Sequence, residues 1–354
     1  MRIGLKMKTL LAFALLLFAI NAGAQDYKFS QFYNSPLNLN PASTGKINSL
    51  YRFVANYRIQ YLPIQSSPTP YNTLSGSADF GLFRDKLKGD IFGLGIIFTN
   101  DRQSYIRTNT AMLSIGFNKG LGRDKKHFLS FGTQVGFTQR VLDISNLSFE
   151  KQFTGTGFDL QLPSGENLID ALRAQNQTRA KFMKANVNLG LLWSGAFNKM
   201  WSAYAGFSMF NIVKPKDTFL KSDNERAFRF NAHAGVLIDI KKIVLISPNG
   251  MYMQQAKAQQ WIAGTSVSVN LSGKSQPYKT ALSAGFWYDG NKAIIASTGV
   301  SFSGVQIAIS YDATLQKDLS KATKSFGAIE ASIIYTGRPL DKRKQYSPLL
   351  CPHF

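Results

Sequence analysis

Three histidines, one cysteine and scattered carboxylates are what this chain offers for metal or nucleophilic chemistry. His127, His233 and His353 lie far apart and share no metal-ligand spacing. Cys351 is the single cysteine, so no intrachain disulfide framework exists. Its thiol either pairs or reacts between molecules, or anchors the tail as a small apolar group. The G-x-S-x-G nucleophile elbow and the G-x-x-x-x-G-K-[ST] phosphate cradle are both missing. A hydrolase would need His233 next to a serine. His233 falls instead on the side of Arg229 and Asn231 in an alternating run, which points to a polar network. Carboxylates are too few for a paired acid–base site. These residues imply no cofactor, no metal and no enzymatic activity.

The elements that must position these side chains read as strands throughout. In YRFVANYRIQY, Tyr51, Phe53, Ala55, Tyr57, Ile59 and Tyr61 share one face; Arg52, Val54, Asn56, Arg58 and Gln60 share the other. Strands in soluble domains average about 5–6 residues, whereas a tilted membrane-spanning strand needs about 9–11. The alternation recurs. HFLSFGTQVGFTQ sets Leu129, Phe131, Val135 and Phe137 against Ser130, Gln134 and Thr138. MKANVNLGLLW sets Ala185, Val187, Leu189, Leu191 and Trp193 against Lys184, Asn186 and Asn188.

Fourteen segments of this kind are predicted, near residues 50–61, 71–82, 90–99, 106–118, 127–140, 182–196, 201–211, 227–239, 243–254, 260–271, 280–289, 293–302, 304–312 and 326–336. Pro248 predicts a bulge or an earlier strand end in the ninth. Alternation alone fits either a secreted sandwich or an outer-membrane barrel. Strand length, an even strand count and aromatics at strand ends (Tyr51, Tyr61, Trp193, Trp201, Trp261, Tyr335) favour the barrel. The expected fold is all-β: a transmembrane antiparallel β-barrel of 14 strands. One long irregular insertion, Val141–Ala180, contains a candidate short helix in LIDALRAQ, Leu168–Gln175.

Residues 1–24 read as a secretory signal. Arg2, Lys6 and Lys8 precede the apolar run Leu10–Ile20, and Ala22-Gly23-Ala24 fits a cleavage site. The chain is then expected to divide into a signal (1–24), an N-terminal segment (25–49), a barrel (50–336) and a periplasmic tail (337–354). It is expected in the cell outer membrane.

The net charge is +21; the leader carries three bases and no acid, leaving +18 without it. With both chain ends in the periplasm, alternate connections face that side. Those at 83–89, 119–126, 197–200, 240–242 and 272–279 carry twelve bases and two acids. The insertion 141–180, expected outside, holds five acids and three bases. Lys86, Lys88, Lys125, Lys126, Lys241 and Lys242 therefore become candidates for contact with anionic outer-membrane lipid or with acidic periplasmic proteins. Nucleic acid is not an expected partner, because the basic–aromatic motifs of RNA-binding modules are missing.

The stretch KFSQFYNSPLNLNPASTG, Lys28–Gly45, is uncharged after Lys28, rich in aromatics and broken by Pro36 and Pro41. It is too Pro-broken for a helix and too irregular for a strand. Phe29, Phe32, Tyr33, Leu37 and Leu39 call for burial, and Asn34 and Asn40 suit local turns. It either packs in the lumen, lines the periplasmic mouth, or seals the seam beside the first strand.

This stretch resembles the N-terminal signature of the PorP/SprF family of the type IX secretion system, outer-membrane proteins of the Bacteroidota. Phe29, Ser30, Gln31, Phe32, Pro36, Leu37, Leu39, Asn40, Pro41, Ala42 and Gly45 stand in the matching places; Asn38 departs from an often aromatic position. The ending CPHF, Cys351–Phe354, is similar to the family's closing Cys-Pro-x-Phe, and FGAIEASIIY to its last strand with the embedded Glu330. The resemblance implies a barrel that cooperates with type IX export. It would assist secretion or surface retention of a secreted surface protein or gliding adhesin, together with periplasmic type IX secretion components. A porin or transporter of hydrophobic or small polar solutes is the alternative.

Overall fold

The computed structural model describes residues 26–62, 71–83, 87, 89–213, 227–273, 278–290 and 292–339. Of the candidates above, Lys86, Lys88, Cys351 and Phe354 lie outside the described residues, as do residues 1–25 and 340–354.

Fourteen strands form one closed antiparallel barrel in sequence order. They are β1 (Ser49–Gln60), β2 (Tyr71–Leu82), β3 (Ile91–Gln103), β4 (Ile106–Leu121), β5 (His127–Asp143), β6 (Arg179–Ala196), β7 (Trp201–Phe210), β8 (Arg229–Ile240), β9 (Val244–Gln255), β10 (Ala258–Asn270), β11 (Thr280–Asp289), β12 (Ala293–Phe302), β13 (Val305–Thr314) and β14 (Phe326–Pro339). β1 closes on β14, from Ser49↔Pro339 to Gln60↔Ala328.

The alternation settles inside out. On β1, Arg52, Val54, Asn56 and Arg58 are buried in the lumen, while Phe53 and Tyr57 are exposed on the outer wall. Ile96, Phe131, Phe137, Phe207, Phe286 and Ile309 likewise face outward from their strands. An apolar exterior around a polar interior is the pattern of a barrel solvated by lipid.

The two ends differ. Connections at 122–126, 197–200, 241–243 and 303–304 are short, whereas those at 144–178, 211–228 and 315–325 are long. Outer-membrane barrels have short periplasmic turns and longer extracellular loops. The first end (the turn end) has the form of a periplasmic end and the second (the loop end) that of an extracellular one. Aromatic side chains gather at both. Tyr51 meets Phe53 and Tyr335, and His127 stacks on Trp193, at the turn end; Tyr61 meets Tyr71, and Trp261 meets Tyr288, at the loop end.

Two expectations need correction. Pro248 neither ends β9 nor shifts its register. β9 pairs β10 continuously through Thr265↔Pro248. On the β8 side the ladder is interrupted between Gly235↔Asn249 and Ile238↔Ile246 and resumes in the same register, because proline lacks the N–H donor. The insertion is shorter than expected, since β5 reaches Asp143 and β6 begins at Arg179. Its helix spans Asn167–Ala174. The connection is packed rather than loose. Ile144, Ile169 and Gln152 are buried, and the Arg173 guanidinium donates to the carbonyls of Leu147 (2.8 Å) and Leu160 (3.1 Å).

Candidate functional site

Residues 26–47 thread the lumen from end to end. At the loop end the Asp26 amide donates to Gln255 Oε1 (2.6 Å), and its carboxylate lies 3.5 Å from Arg229. Lys28 pairs with Asp289, the last residue of β11. The Ser30 and Gln31 amides donate to the Glu330 carboxylate at 2.7 and 3.0 Å. Deeper in, Asn34 Nδ2 donates to Ser332 (3.0 Å) and Asn38 Nδ2 to Ser75 (2.8 Å). Near the turn end the Gly45 amide donates to Asp79 (2.8 Å), shortly before β1 begins. Asp26 thus sits at the loop end. The chain runs the whole length of the lumen before β1 starts at the other end.

The local structure follows from its prolines, which do not exclude helix here. Pro36 and Pro41 each open a single helical turn, Pro36–Leu39 and the 3-10 turn Pro41–Ser43. The first helical position needs no N–H donor, and proline's φ is already suitable. Asn40 caps the second turn by accepting from the Ala42 amide (2.8 Å). Gly45 leaves it at φ +70, a conformation glycine adopts without strain.

Burial fastens the segment. Phe29, Phe32, Tyr33, Leu37 and Leu39 are all buried, each side chain contributing roughly 1.5–3 kcal/mol. Tyr33 stacks on Trp287 with ring centroids 4.7 Å apart. Phe32, Tyr33 and Leu39 join Met251, Ile262 and Ile295 in one cluster, while Leu37 packs with Ile97 and Met112. Opposite the Asn-Pro-Ala turn the wall is bare. A Cβ on Gly132 would come within 2.2 Å of Pro41, one on Gly190 within 2.0 Å of Asn40 Oδ1, and one on Gly116 within 2.6 Å of the Thr44 carbonyl. Asn40 Nδ2 then donates to the carbonyls of Leu191 (3.0 Å) and Phe207 (3.3 Å), across the β6–β7 pair.

Ion pairs lock both ends. Arg52 chelates Asp79 at 2.9 and 3.0 Å below. Above, Arg58 meets Asp312 (2.8 Å) and Glu330 (3.1 Å) and also donates to Ser30. These groups are buried, and buried charges are tolerated only when paired and hydrogen-bonded. Of this network, Glu330 and Ser30 fall in the family-like motifs, while Asp79 and Asp312 carry no motif. Arg52 and Arg58 carried a usable signal, since both fall on the polar face of the first alternating segment.

Among the described residues, two cavities flank the segment. One of about 350 Å³ opens at the loop end, with Lys28, Arg58, Asp101, Asp289 and Asp312 among its lining residues. The other, about 30 Å³, lies between Phe29, Phe32, Leu39, Met251 and Met253. That is room for two or three water molecules at most, at roughly 10–15 Å³ each, whereas a cavity of about 150 Å³ accepts benzene.

The candidate residues therefore fall into two groups. Phe29, Gln31, Phe32, Pro36, Leu39, Asn40 and Pro41 are buried in the lumen. Lys125, Lys126, Lys241 and Lys242 stand at the turn end, on two separate hairpins. Lys125 pairs with Asp90 (2.8 Å), as does Lys119 (2.7 Å). Burial pushes the Asp90 carboxyl up, but bonds from Lys119, Lys125 and the Gly120 amide outweigh it and hold it below the usual range. Lys241 and Lys242 are the central residues of the turn closed by the Ile243 amide on the Ile240 carbonyl, with φ +55 and +60. Such turns favour Asn-Gly, and a left-handed L-residue costs roughly 1–2 kcal/mol. His233 is buried in the lumen, its ring 6.1 Å from Tyr204. Among the described residues no group of His, Cys, Asp or Glu is placed to hold a metal ion.

A family model described as type IX secretion system membrane protein PorP/SprF matches residues 21–335. No curated protein matches the chain. Among solved structures it is similar to the deltaS2S3 mutant of the TodX monoaromatic hydrocarbon channel, at TM-score 0.53 and 11% identity over 87% of this chain and 94% of that one. A second TodX mutant gives 0.51 and 11% over 86% and 94%. The Ralstonia pickettii toluene transporter TbuX gives 0.48 and 10% over 87% and 94%. At these identities the likeness concerns the fold.

Proposed function

Because the chain belongs to the PorP/SprF family of type IX secretion system membrane proteins, we propose that it is a non-enzymatic outer-membrane partner of type IX export, assisting secretion or surface retention of client proteins such as adhesins. The observation that carries this reading is the occupied lumen. With residues 26–47 bonded to the wall along its length, function moves to the two rims.

The turn end offers Lys125, Lys126, Lys241 and Lys242 to acidic periplasmic components of the machinery. The strained Lys241–Lys242 turn supports this role, since retaining lysine where asparagine and glycine are easier is expected of a position chosen for charge. The loop end offers the folded connection 144–178, whose Phe153 and Phe158 are both exposed.

The test is mild detergent extraction of the tagged protein from its own outer membrane, with identification of what co-purifies. Recovery of a large exported surface protein or of periplasmic secretion components supports the reading. A solitary barrel that carries solute flux after reconstitution would replace it with the transporter alternative, whose support is the shared fold with hydrocarbon channels. The small size of the apolar cavity weighs against a hydrophobic solute.

A further inference from the structure

Four neighbouring strands, β3 to β6, carry matched rows of side chains on the outer wall. Ile96, Leu113, Val135 and Val187 stand in register across them. Two residues nearer the loop end stand Phe98, Ala111, Phe137 and Ala185. The next outward row is Asn100, Asn109, Gln139 and Met183, and the one after it Arg102, Arg107, Val141 and Lys181. Apolar surface thus gives way to side-chain amides and then to cations. From Phe98 to Arg102 the change takes about 13 Å, at roughly 3.3 Å per residue. A lipid leaflet changes in the same order, from acyl chains to polar headgroup.

The fold compensates these cations poorly. Arg102 and Arg107 are Cα partners, one pair short of the turn at Ser104 and Tyr105. Like charges directly opposite one another destabilise a sheet. Both arginines are half-buried and Lys181 is exposed. Among the described residues none of the three side chains has an ion pair or a hydrogen bond. Asp143 is the outward-facing acid of these strands. It accepts from Ser145 Oγ (2.7 Å) and lies 3.7 Å from Arg179, and its charge also reaches Arg102. Among the described strand residues, the outward-facing bases at the loop end are Arg102, Arg107, Arg179 and Lys181, all in this sector. The opposite sector has Trp261 and Tyr288 there instead. In the amide row Asn100 Nδ2 donates to Asn109 Oδ1, and Asn109 Nδ2 to Gln139 Oε1 (3.1 Å).

We propose that the outer wall of β3–β6 at the loop end binds a phosphorylated glycolipid of the lipid A class. Its acyl chains lie along the Ile96 and Phe98 rows, its sugar hydroxyls meet the amide row, and its phosphates sit on Arg102, Arg107 and Lys181. Arginine holds phosphate through paired N–H···O bonds, and an anion between Arg102 and Arg107 replaces one repulsion by two attractions. The cation row spans about 14 Å, at roughly 4.8 Å between strands. That width exceeds a single glycerophosphate and suits phosphates carried on a disaccharide. The choice of an outer-leaflet lipid rests on the extracellular form of the loop end; it does not depend on the export role.

The experiment titrates the full-length protein in detergent micelles with diphosphoryl lipid A and reads the bound fraction by native mass spectrometry. Wild type should bind, and R102Q/R107Q should bind at least about tenfold more weakly. Lipid A stripped of its phosphates should bind wild type as weakly as the variant binds the intact lipid. Without lipid, R102Q/R107Q should unfold at the wild-type temperature or above it, because two opposed charges are gone. A merely structural role for the arginines would lower that temperature. K257Q, at an exposed lysine on the β9–β10 turn of the same end, should bind as wild type does. Equal binding by wild type and R102Q/R107Q, or equal binding of the stripped lipid, overturns the proposal. Displacement of the lipid by inorganic phosphate would reduce the patch to a free-anion site and overturn it. Equal or tighter binding of phosphatidylglycerol would make it a general belt for anionic lipid and overturn it as well. Should R102Q/R107Q fail to fold, the stripped lipid on wild type decides alone.

Discussion

Arg58 of the first strand and Glu330 of the last face each other across the seam that closes the barrel, 3.1 Å apart, in register as Cα partners. The same carboxylate accepts the amides of Ser30 and Gln31. Closure of the sheet and seating of the lumen segment are thus one network. Removing the charge with Glu330→Gln leaves Arg58 with Asp312 alone. The expected loss is about 3 kcal/mol, the lower end of what breaking a buried pair costs. Urea unfolding of the protein refolded into lipid vesicles measures it, and wild-type stability in this variant would refute the coupling.

Gly190→Ala tests the seat of the Asn-Pro-Ala turn. The added methyl would meet Asn40 Oδ1 at 2.0 Å, and such overpacking costs typically about 1–3 kcal/mol. The segment 26–47 should become cleavable by added protease under conditions where wild type resists. Gly157→Ala, where nothing lies within 4 Å, should behave as wild type.

Deleting residues 29–45 should open the lumen. In planar bilayers the deleted protein should give steady currents where the wild type gives none. Identical silence from both would mean that other groups close the barrel.

The Lys241–Lys242 turn should show stability and partner binding moving in opposite directions. K241N/K242G relieves two left-handed lysines and should stabilise the barrel by about 1 kcal/mol or more. Recovery of periplasmic partners should fall. K241Q/K242Q should lose partners without gaining stability, which separates charge from strain.

Asp90 supplies a pH dependence. A folded carboxyl held below its unfolded value adds stability above the unfolded pKa, which is lost as pH falls through the folded one. Asp90→Asn should therefore cost about 1 kcal/mol at neutral pH, modest because Lys119 is half exposed and screened. The gap from wild type should close in acid below about pH 4. A gap that persists there would assign the effect to packing.

Period-two alternation over long segments determined the strand count and the two faces of each strand, and strand length, even number and terminal aromatics favoured the barrel over a sandwich. That signal is local: each side chain's direction depends only on its neighbours along the chain, so Phe53 outward and Arg58 inward follow from position alone. The burial of Phe29, Phe32 and Leu37 was also legible, because an uncharged aromatic segment has no favourable place in water. Tertiary structure decided what such local signals do not encode. The descent of Asp26–Ile47 from the loop end, the match of Asn40 to Gly190, and the convergence of Arg58, Asp312 and Glu330 on Ser30 join residues up to 300 positions apart. Those pairings depend on how the sheet closes.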